Sequence, residues 1–143
     1  MTERREQFLS GERPDDVALF LSESFVDDPA ALTDHGELVE GGVLLVVDGD
    51  AGRRVFERAT GTQAMAFTRE AMAVEGHVDA DLTGGECPEA GDGGAHEPLF
   101  VFAFAEAQHE DVGGIYEEGD VMHAYARCSC GVDYSDRWVV GSR

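Results

Sequence analysis

The last third of the chain contains three segments rich in apolar residues, and in the first of them phenylalanine recurs at every second position, which is the spacing of one face of a β-strand. In the first of these segments, three phenylalanines alternate with smaller apolar residues, and we expect this stripe to belong to the core. Glycines separate the segments and supply the turns between them. The pattern therefore predicts three strands, over 99–108, 121–128 and 132–140.

The first half of the chain combines one continuous apolar run with several segments of helical spacing. The run Gly42–Asp48 is rich in β-branched residues and predicts a strand that is covered on both faces. The residues 17–22 fit either a helix or a strand. Apolar spacing and flanking glycines predict helices over 2–9, 51–59 and 63–75, with Met65, Phe67 and Met72 in the core.

Residues 79–98 have no apolar periodicity and are rich in glycine and acidic residues, which predicts a long loop. A chain of 143 residues is the usual size of one domain, so we expect residues 1–143 to form a single compact unit. The expected fold class is α+β. Its N-terminal half would be helical around one central strand, and its C-terminal end would be a small antiparallel sheet.

The composition narrows the class of protein. Thirty acidic residues face ten basic ones, all of them arginine, and the net charge is −20. This excludes lysine chemistry and disfavours nucleic acids and acidic membranes as partners. Since 43% of the residues are hydrophobic, we interpret the chain as a folded halophilic protein. The charged segment at residues 1–9 is not followed by the apolar region of a targeting signal, and the longest apolar runs are too short to span a membrane. Three cysteines fit a reducing cytoplasm.

The cysteines and histidines of the second half form a candidate zinc site. Cys128 and Cys130 flank a predicted turn, and Cys87 lies in the glycine-rich loop. Zinc prefers four thiolate and imidazole ligands in a tetrahedron, so either His96 or His123 would complete the set. The alternative interpretation is three buried free cysteines, since cysteine is often buried without binding a metal.

Two enzymatic alternatives rest on other residues. Cys128 could act as a redox thiol, but Arg127 beside it points to the opposite face of a strand and is poorly placed to activate it. Asp48 and Asp50 follow a buried strand, and this spacing resembles the first motif of haloacid-dehalogenase-type phosphatases. The chain lacks the lysine of that family and a second acidic motif. A turn with Asp50 as the helix N-cap is the ordinary interpretation.

Six segments of the chain have a familiar combination of residues, namely 11–17, 42–50, 84–88, 100–106, 123–131 and 134–138. Together they resemble a haloarchaeal family of small acidic proteins that is known only as a domain of unknown function. The resemblance includes the Cys-x-Cys-Gly turn at residues 128–131 and covers nearly the whole chain. It implies a haloarchaeal source, but no activity, substrate or catalytic residue.

The sequence favours a non-enzymatic, cytoplasmic interaction module with a structural zinc ion and a protein partner. Self-association through an edge of the C-terminal sheet is a further possibility. The alternative is an enzyme, either a thiol-dependent redox protein or a metal-assisted hydrolase.

Overall fold

A computed structural model describes residues 2–9, 16–23, 25, 36–39, 42–79, 82, 84–88, 96, 98–106 and 119–141. Three helices are present in this part of the chain: α1 (Thr2–Leu9), α2 (Gly49–Thr60) and α3 (Ala64–Met72). The strands are β1 (Asp16–Ser22), β2 (Gly36–Val39), β3 (Gly42–Asp48), β4 (His77–Val78), β5 (Gly85–Glu86), β6 (Pro98–Glu106), β7 (Asp120–Cys128) and β8 (Asp133–Gly141).

Six of the strands form one antiparallel sheet in the order β2-β3-β1-β6-β7-β8, and β4 and β5 form a separate pair. The described part of the chain is therefore mostly β. The expected α+β arrangement, with a helical N-terminal half and a separate C-terminal sheet, is wrong. The reason is that β1 pairs with both β3 and β6 and joins the two halves of the chain in a single sheet.

The strand β1 shows why the sequence left residues 17–22 open between helix and strand. Every residue from Asp16 to Ser22 is buried, because β1 lies at the centre of the sheet and both faces of the sheet are covered. A strand that is buried on both faces loses its alternation of apolar and polar residues. An unbroken apolar run of this kind also satisfies helical spacing.

The sheet has two buried faces. One face packs against α2 and α3, and we call it the helix face. At its centre the ring of Phe56 lies 5.4 Å from each of the rings of Phe67, Phe100 and Phe102. The other face, the hairpin face, packs against α1 and the β4–β5 hairpin, and it includes Phe8, Val78, Leu82, Met122 and Tyr134.

The two helices of the helix face differ in detail from the prediction. Asp48, rather than Asp50, is the N-cap of α2, and its carboxylate accepts a hydrogen bond of 2.9 Å from the Ala51 N–H. The predicted end of this helix at a glycine is confirmed by Gly61. In α3, Met65 and Met72 are 58% and 62% exposed, so their placement in the core was wrong.

The C-terminal strands agree with the predicted ones to within one or two residues, although residues 107–108 lie outside the described part of the chain. Of the phenylalanine stripe on β6, Phe100 and Phe102 are buried and Phe104 is half-buried. Among the described residues, no helix has the length and apolar character needed to cross a bilayer.

Candidate metal centre

Three cysteines and one histidine meet on the hairpin face, at the end of the sheet where β7 turns into β8. The members of the group are Cys87, His96, Cys128 and Cys130, and one ligand atom from each lies within 4.8 Å of all the others. Cys87 and Cys128 are buried, His96 is half-buried, and Cys130 is exposed. These are thiolate and imidazole donors, which suit zinc and other borderline or soft metal ions.

The turn after β7 brings the two nearest cysteines together. The Gly131 N–H donates to the Cys128 carbonyl at 2.9 Å, and the Cys128 N–H donates to the Val132 carbonyl at 2.8 Å. Gly131 has a φ of 96°, a left-handed conformation that glycine adopts without steric cost. The glycine thus closes a tight turn, and this turn returns Cys130 to the side of Cys128.

A salt bridge on the helix face holds the base of this turn. Arg127 Nε donates to Asp133 Oδ1 at 2.7 Å, and Arg127 Nη2 donates to Asp133 Oδ2 at 3.1 Å. The Arg127 guanidinium also lies over the rings of Phe67 and Phe100. The hydrogen bond to Asp133 raises the pKa of Arg127 against the opposing effect of burial. This two-bond pair fixes the register of the hairpin that carries Cys128 and Cys130.

The other two ligands come from the chain between β5 and β6. Cys87 follows β5 directly, and its Sγ lies 3.8 Å from Cys130 Sγ. His96 precedes β6, and its Nδ1 lies 3.4 Å from Cys128 Sγ. The group therefore joins two parts of the chain that are 43 residues apart.

Burial and hydrogen bonding act in opposite directions on the Cys128 thiol. Burial would raise its pKa, but hydrogen bonds from the Cys130 backbone and from the side chains of His96, Cys130 and Cys87 lower the pKa to about 7. A thiol with this pKa is about half thiolate at neutral pH, and the thiolate is the form that binds metals. Burial raises the pKa of the nearby Tyr134 far above its usual range, and the thiolates of Cys128 and Cys87 add to the effect.

The structure brings together four of the five residues that the sequence offered as ligands, and His123 is not among them. Along β7, Cys128 lies on the hairpin face, and Tyr125 belongs to the core of the helix face. His123 stacks on Phe104 on the helix face, and its Nε2 lies 2.8 Å from Glu106 Oε1. Residues 123 and 128 are separated by an odd number of positions, so a flat strand points them to opposite faces. The alternation along β7 was therefore the signal that separates His123 from the cysteines.

The acidic pair after β3 has an ordinary structural role. Asp48 caps α2, and Asp50 forms a salt bridge with Arg53 in the first turn of the same helix. Within the described part of the chain, the Cys/His group is where metal-ligating side chains converge. The fold and this group define the protein as a small, mostly β protein with a cluster able to hold a metal ion.

The chain belongs to the family of unknown function DUF5807, whose sequence profile matches residues 36–141. The predicted resemblance to an uncharacterised domain family is thereby confirmed. No curated protein and no solved structure matches the chain.

Proposed function

We propose that the protein binds one zinc ion through Cys87, His96, Cys128 and Cys130, and that this ion has a structural role. The observation that carries the proposal is the pair of distances between ligand atoms. In a tetrahedral site, Zn–S bonds of about 2.3 Å and a Zn–N bond of about 2.0 Å place two sulfurs about 3.8 Å apart, and a sulfur and a nitrogen about 3.5 Å apart. Cys87 Sγ lies 3.8 Å from Cys130 Sγ, and His96 Nδ1 lies 3.4 Å from Cys128 Sγ; the other pairs of ligand atoms lie within 4.8 Å of each other.

The donor set favours zinc over the hard divalent cations. Magnesium and calcium prefer carboxylate, carbonyl and water oxygens, whereas this group offers three sulfurs and one ring nitrogen. Four protein ligands fill a tetrahedron completely. Catalytic zinc sites keep one position for water or substrate, so a complete set indicates a structural ion.

The position of the ligands suggests what the ion stabilises. Two ligands lie in the β7–β8 turn, one follows the β4–β5 hairpin, and one precedes β6. A bound ion would fasten the hairpin to the end of the main sheet. It would also neutralise part of the charge of three thiolates in a chain whose net charge is −20.

The wider function that we propose is an interaction module, without an enzymatic activity, in the cytoplasm of a halophilic, haloarchaeal cell. Reduced cysteines support the location, and the acidic, lysine-free composition supports the high-salt environment. The composition also argues against nucleic-acid and membrane partners. We expect a protein partner, or a second copy of the chain, on the edge strand β8, beyond the part where Ser135 forms backbone hydrogen bonds with Val74 and Gly76. If sedimentation in molar KCl detects only monomers, self-association of the chain is excluded.

The test of the zinc site compares two histidine variants. The protein, purified in molar KCl, should contain one equivalent of zinc by elemental analysis. His96→Gln should weaken zinc binding by at least about tenfold, because it removes one of four ligands. His123→Gln is the matched control, since it changes a half-buried histidine of the other sheet face, and it should bind zinc as the unmodified chain does.

Two outcomes would overturn the zinc proposal. One is a protein that contains less than about half an equivalent of zinc and whose three thiols all react freely with a thiol reagent. The other is equal loss of zinc from the two histidine variants, since a general effect on folding would explain that result.

A thiol-dependent redox protein is the second candidate, and the same cluster supports it. Cys87 Sγ and Cys130 Sγ are in non-bonded contact at 3.8 Å, so the two sulfurs would have to approach each other to form a disulfide bond of about 2.05 Å, and Cys130 is exposed to an incoming reagent. Rapid alkylation of Cys130 in metal-free protein, with no zinc bound after purification, would favour this candidate. Slow alkylation at the rate of an ordinary thiol would count against it.

A further inference from the structure

A cavity of about 620 Å³ opens on the helix face, away from the Cys/His group. The helix α3 covers the part of the sheet around Phe67 and Arg127, and it ends at Met72. Beyond that end, residues of β6, β7 and β8 form the floor of the cavity, and among the described residues Met72 is the only helical residue in its lining. The volume is within the range of about 300–1,000 Å³ that is typical of small-molecule sites.

A row of three residues from neighbouring strands crosses the floor of the cavity. Phe104 pairs with His123 across β6 and β7, and His123 pairs with Arg137 across β7 and β8. The rings of Phe104 and His123 are stacked, with centroids 5.2 Å apart. His123 Nε2 lies 2.8 Å from Glu106 Oε1, and its side chain is only 14% exposed. The floor is therefore a fixed surface with an aromatic centre.

The wall of the cavity contains a large apolar side chain in contact with solvent. Met72, at the end of α3, is 62% exposed, while Phe67 and Ala71 of the same helix are buried. Methionine has a flexible, polarisable side chain that adapts to different ligands, and exposed methionines are frequent at binding surfaces. Met72 and Phe104 together give the cavity an apolar side.

The charged residues of the cavity are mainly acidic. Glu75 and Glu106 contribute two carboxylates, and Arg137 contributes one positive charge. The carboxylate of Asp136, the neighbouring residue on β8, is directed to the hairpin face, where it accepts a hydrogen bond of 3.1 Å from the Val78 N–H, so it does not add to the charge of the cavity. This charge disfavours anions. Carboxylates and aromatic rings both attract cations.

We propose that this cavity binds a small organic cation with an apolar or aromatic body. Glu106 would face the positive charge, and Phe104 and Met72 would contact the body of the ligand. The site is separate from the Cys/His group and does not depend on the metal. It gives the protein a ligand-binding function in addition to the structural ion.

The test uses benzyltrimethylammonium as the probe, with the zinc-loaded protein in molar KCl. Titration followed by amide chemical shifts should give saturable changes that are confined to the parts of β6, β7 and β8 that line the cavity. Benzenesulfonate, an anion with the same ring, should give none. Glu106→Gln and Phe104→Leu should each weaken binding about fivefold, which is the size expected for a lost cation contact.

Glu57→Gln on α2 is the matched control, because it removes the same charge at an exposed position away from this cavity, and it should leave the affinity unchanged. Three results would overturn the proposal. These are no saturable shifts with the cation, equal binding of the anion, and equal weakening by Glu57→Gln and Glu106→Gln. The last result would mean that the probe responds only to the net charge of the chain. Both glutamine variants must keep the amide dispersion of the unmodified protein.

Discussion

Removal of the proposed zinc ion should lower the thermal stability of the protein strongly, and the size of the effect follows from the path of the chain. The ligands Cys87 and Cys130 are separated by 43 residues. A cross-link that closes a loop of this length reduces the entropy of the unfolded chain and adds about 4 kcal/mol to the free energy of unfolding. For 143 residues the entropy of unfolding is about 0.3 kcal/mol/K, so the expected shift in Tm is roughly 10–15 °C.

The assay is differential scanning calorimetry in molar KCl at neutral pH, before and after dialysis against a zinc chelator. The unmodified chain should lose roughly 10–15 °C in Tm and recover it when zinc is added back, but not when magnesium is added. Cys87→Ser should start near the lower Tm and respond little to the chelator. His123→Gln should respond as the unmodified chain does, because His123 lies on the other face of the sheet.

Two results would refute this reasoning. A Tm that changes by less than about 2 °C on chelation would mean that no ion cross-links the two parts of the chain. An equally large response of Cys87→Ser would mean that the chelator acts at another site.

Three further predictions concern the turn, the pH and the salt. Gly131→Ala should cost about 1–2 kcal/mol in the free energy of unfolding and weaken zinc binding, since φ is 96° there, and an unchanged Tm in calorimetry would contradict this. Zinc affinity, measured by competition with a chelating dye, should fall by at least about tenfold per pH unit below pH 7. The reason is that the pKa of Cys128 is lowered to about 7 in the folded protein. The thiolate therefore stabilises the fold fully above the higher pKa of the unfolded thiol, and this contribution is lost as the pH falls through about 7. A zinc affinity that does not change with pH would refute the thiolate ligands. Raising KCl from about 0.1 M to about 3 M should raise the Tm, because the Debye length falls from about 10 Å to below about 3 Å and screens the repulsion of 30 acidic residues, whereas a Tm that does not rise would argue against a halophilic protein.

The sequence predicts the C-terminal strands well because the side chains on their two faces differ in polarity and in burial. In β7, half-buried His123 and Arg127 alternate with the fully buried residues of the hairpin face. The strand β1 lacks this contrast, since it is buried throughout between β3 and β6. Its pairing with β6 also depends on contacts between residues about 80 positions apart, which local spacing does not encode. Because this long-range pairing was not predicted, the expected α+β arrangement was wrong, and the two halves of the chain share one sheet.

The candidate site could be predicted in part. The spacing of Cys128 and Cys130 around a glycine indicates a turn with two thiols on one side, and the structure has this turn. The choice between His96 and His123 needed different information. His123 is closer than His96 to Cys128 and Cys130 in sequence, but the alternation of β7 directs it to the other face. His96 lies outside regular structure, so its direction depends on the course of the chain between β5 and β6, for which the sequence has no periodic signal.

The attachment of the β4–β5 hairpin has a consequence for how the protein opens. Apart from the Cys/His group, the described polar contacts between the hairpin region and the sheet are those of His77 and Val78 with Asp136 and those of Val74 and Gly76 with Ser135, in addition to the apolar packing of the hairpin. Because the β4–β5 hairpin has few hydrogen bonds to the main sheet, we expect it to unfold locally as a separate cooperative unit in the absence of a metal ion. An ion on Cys87 would couple that opening to the β7–β8 turn. Hydrogen exchange at Val78 would then slow to the rate of the central strands, and the hairpin and the sheet would behave as one unit.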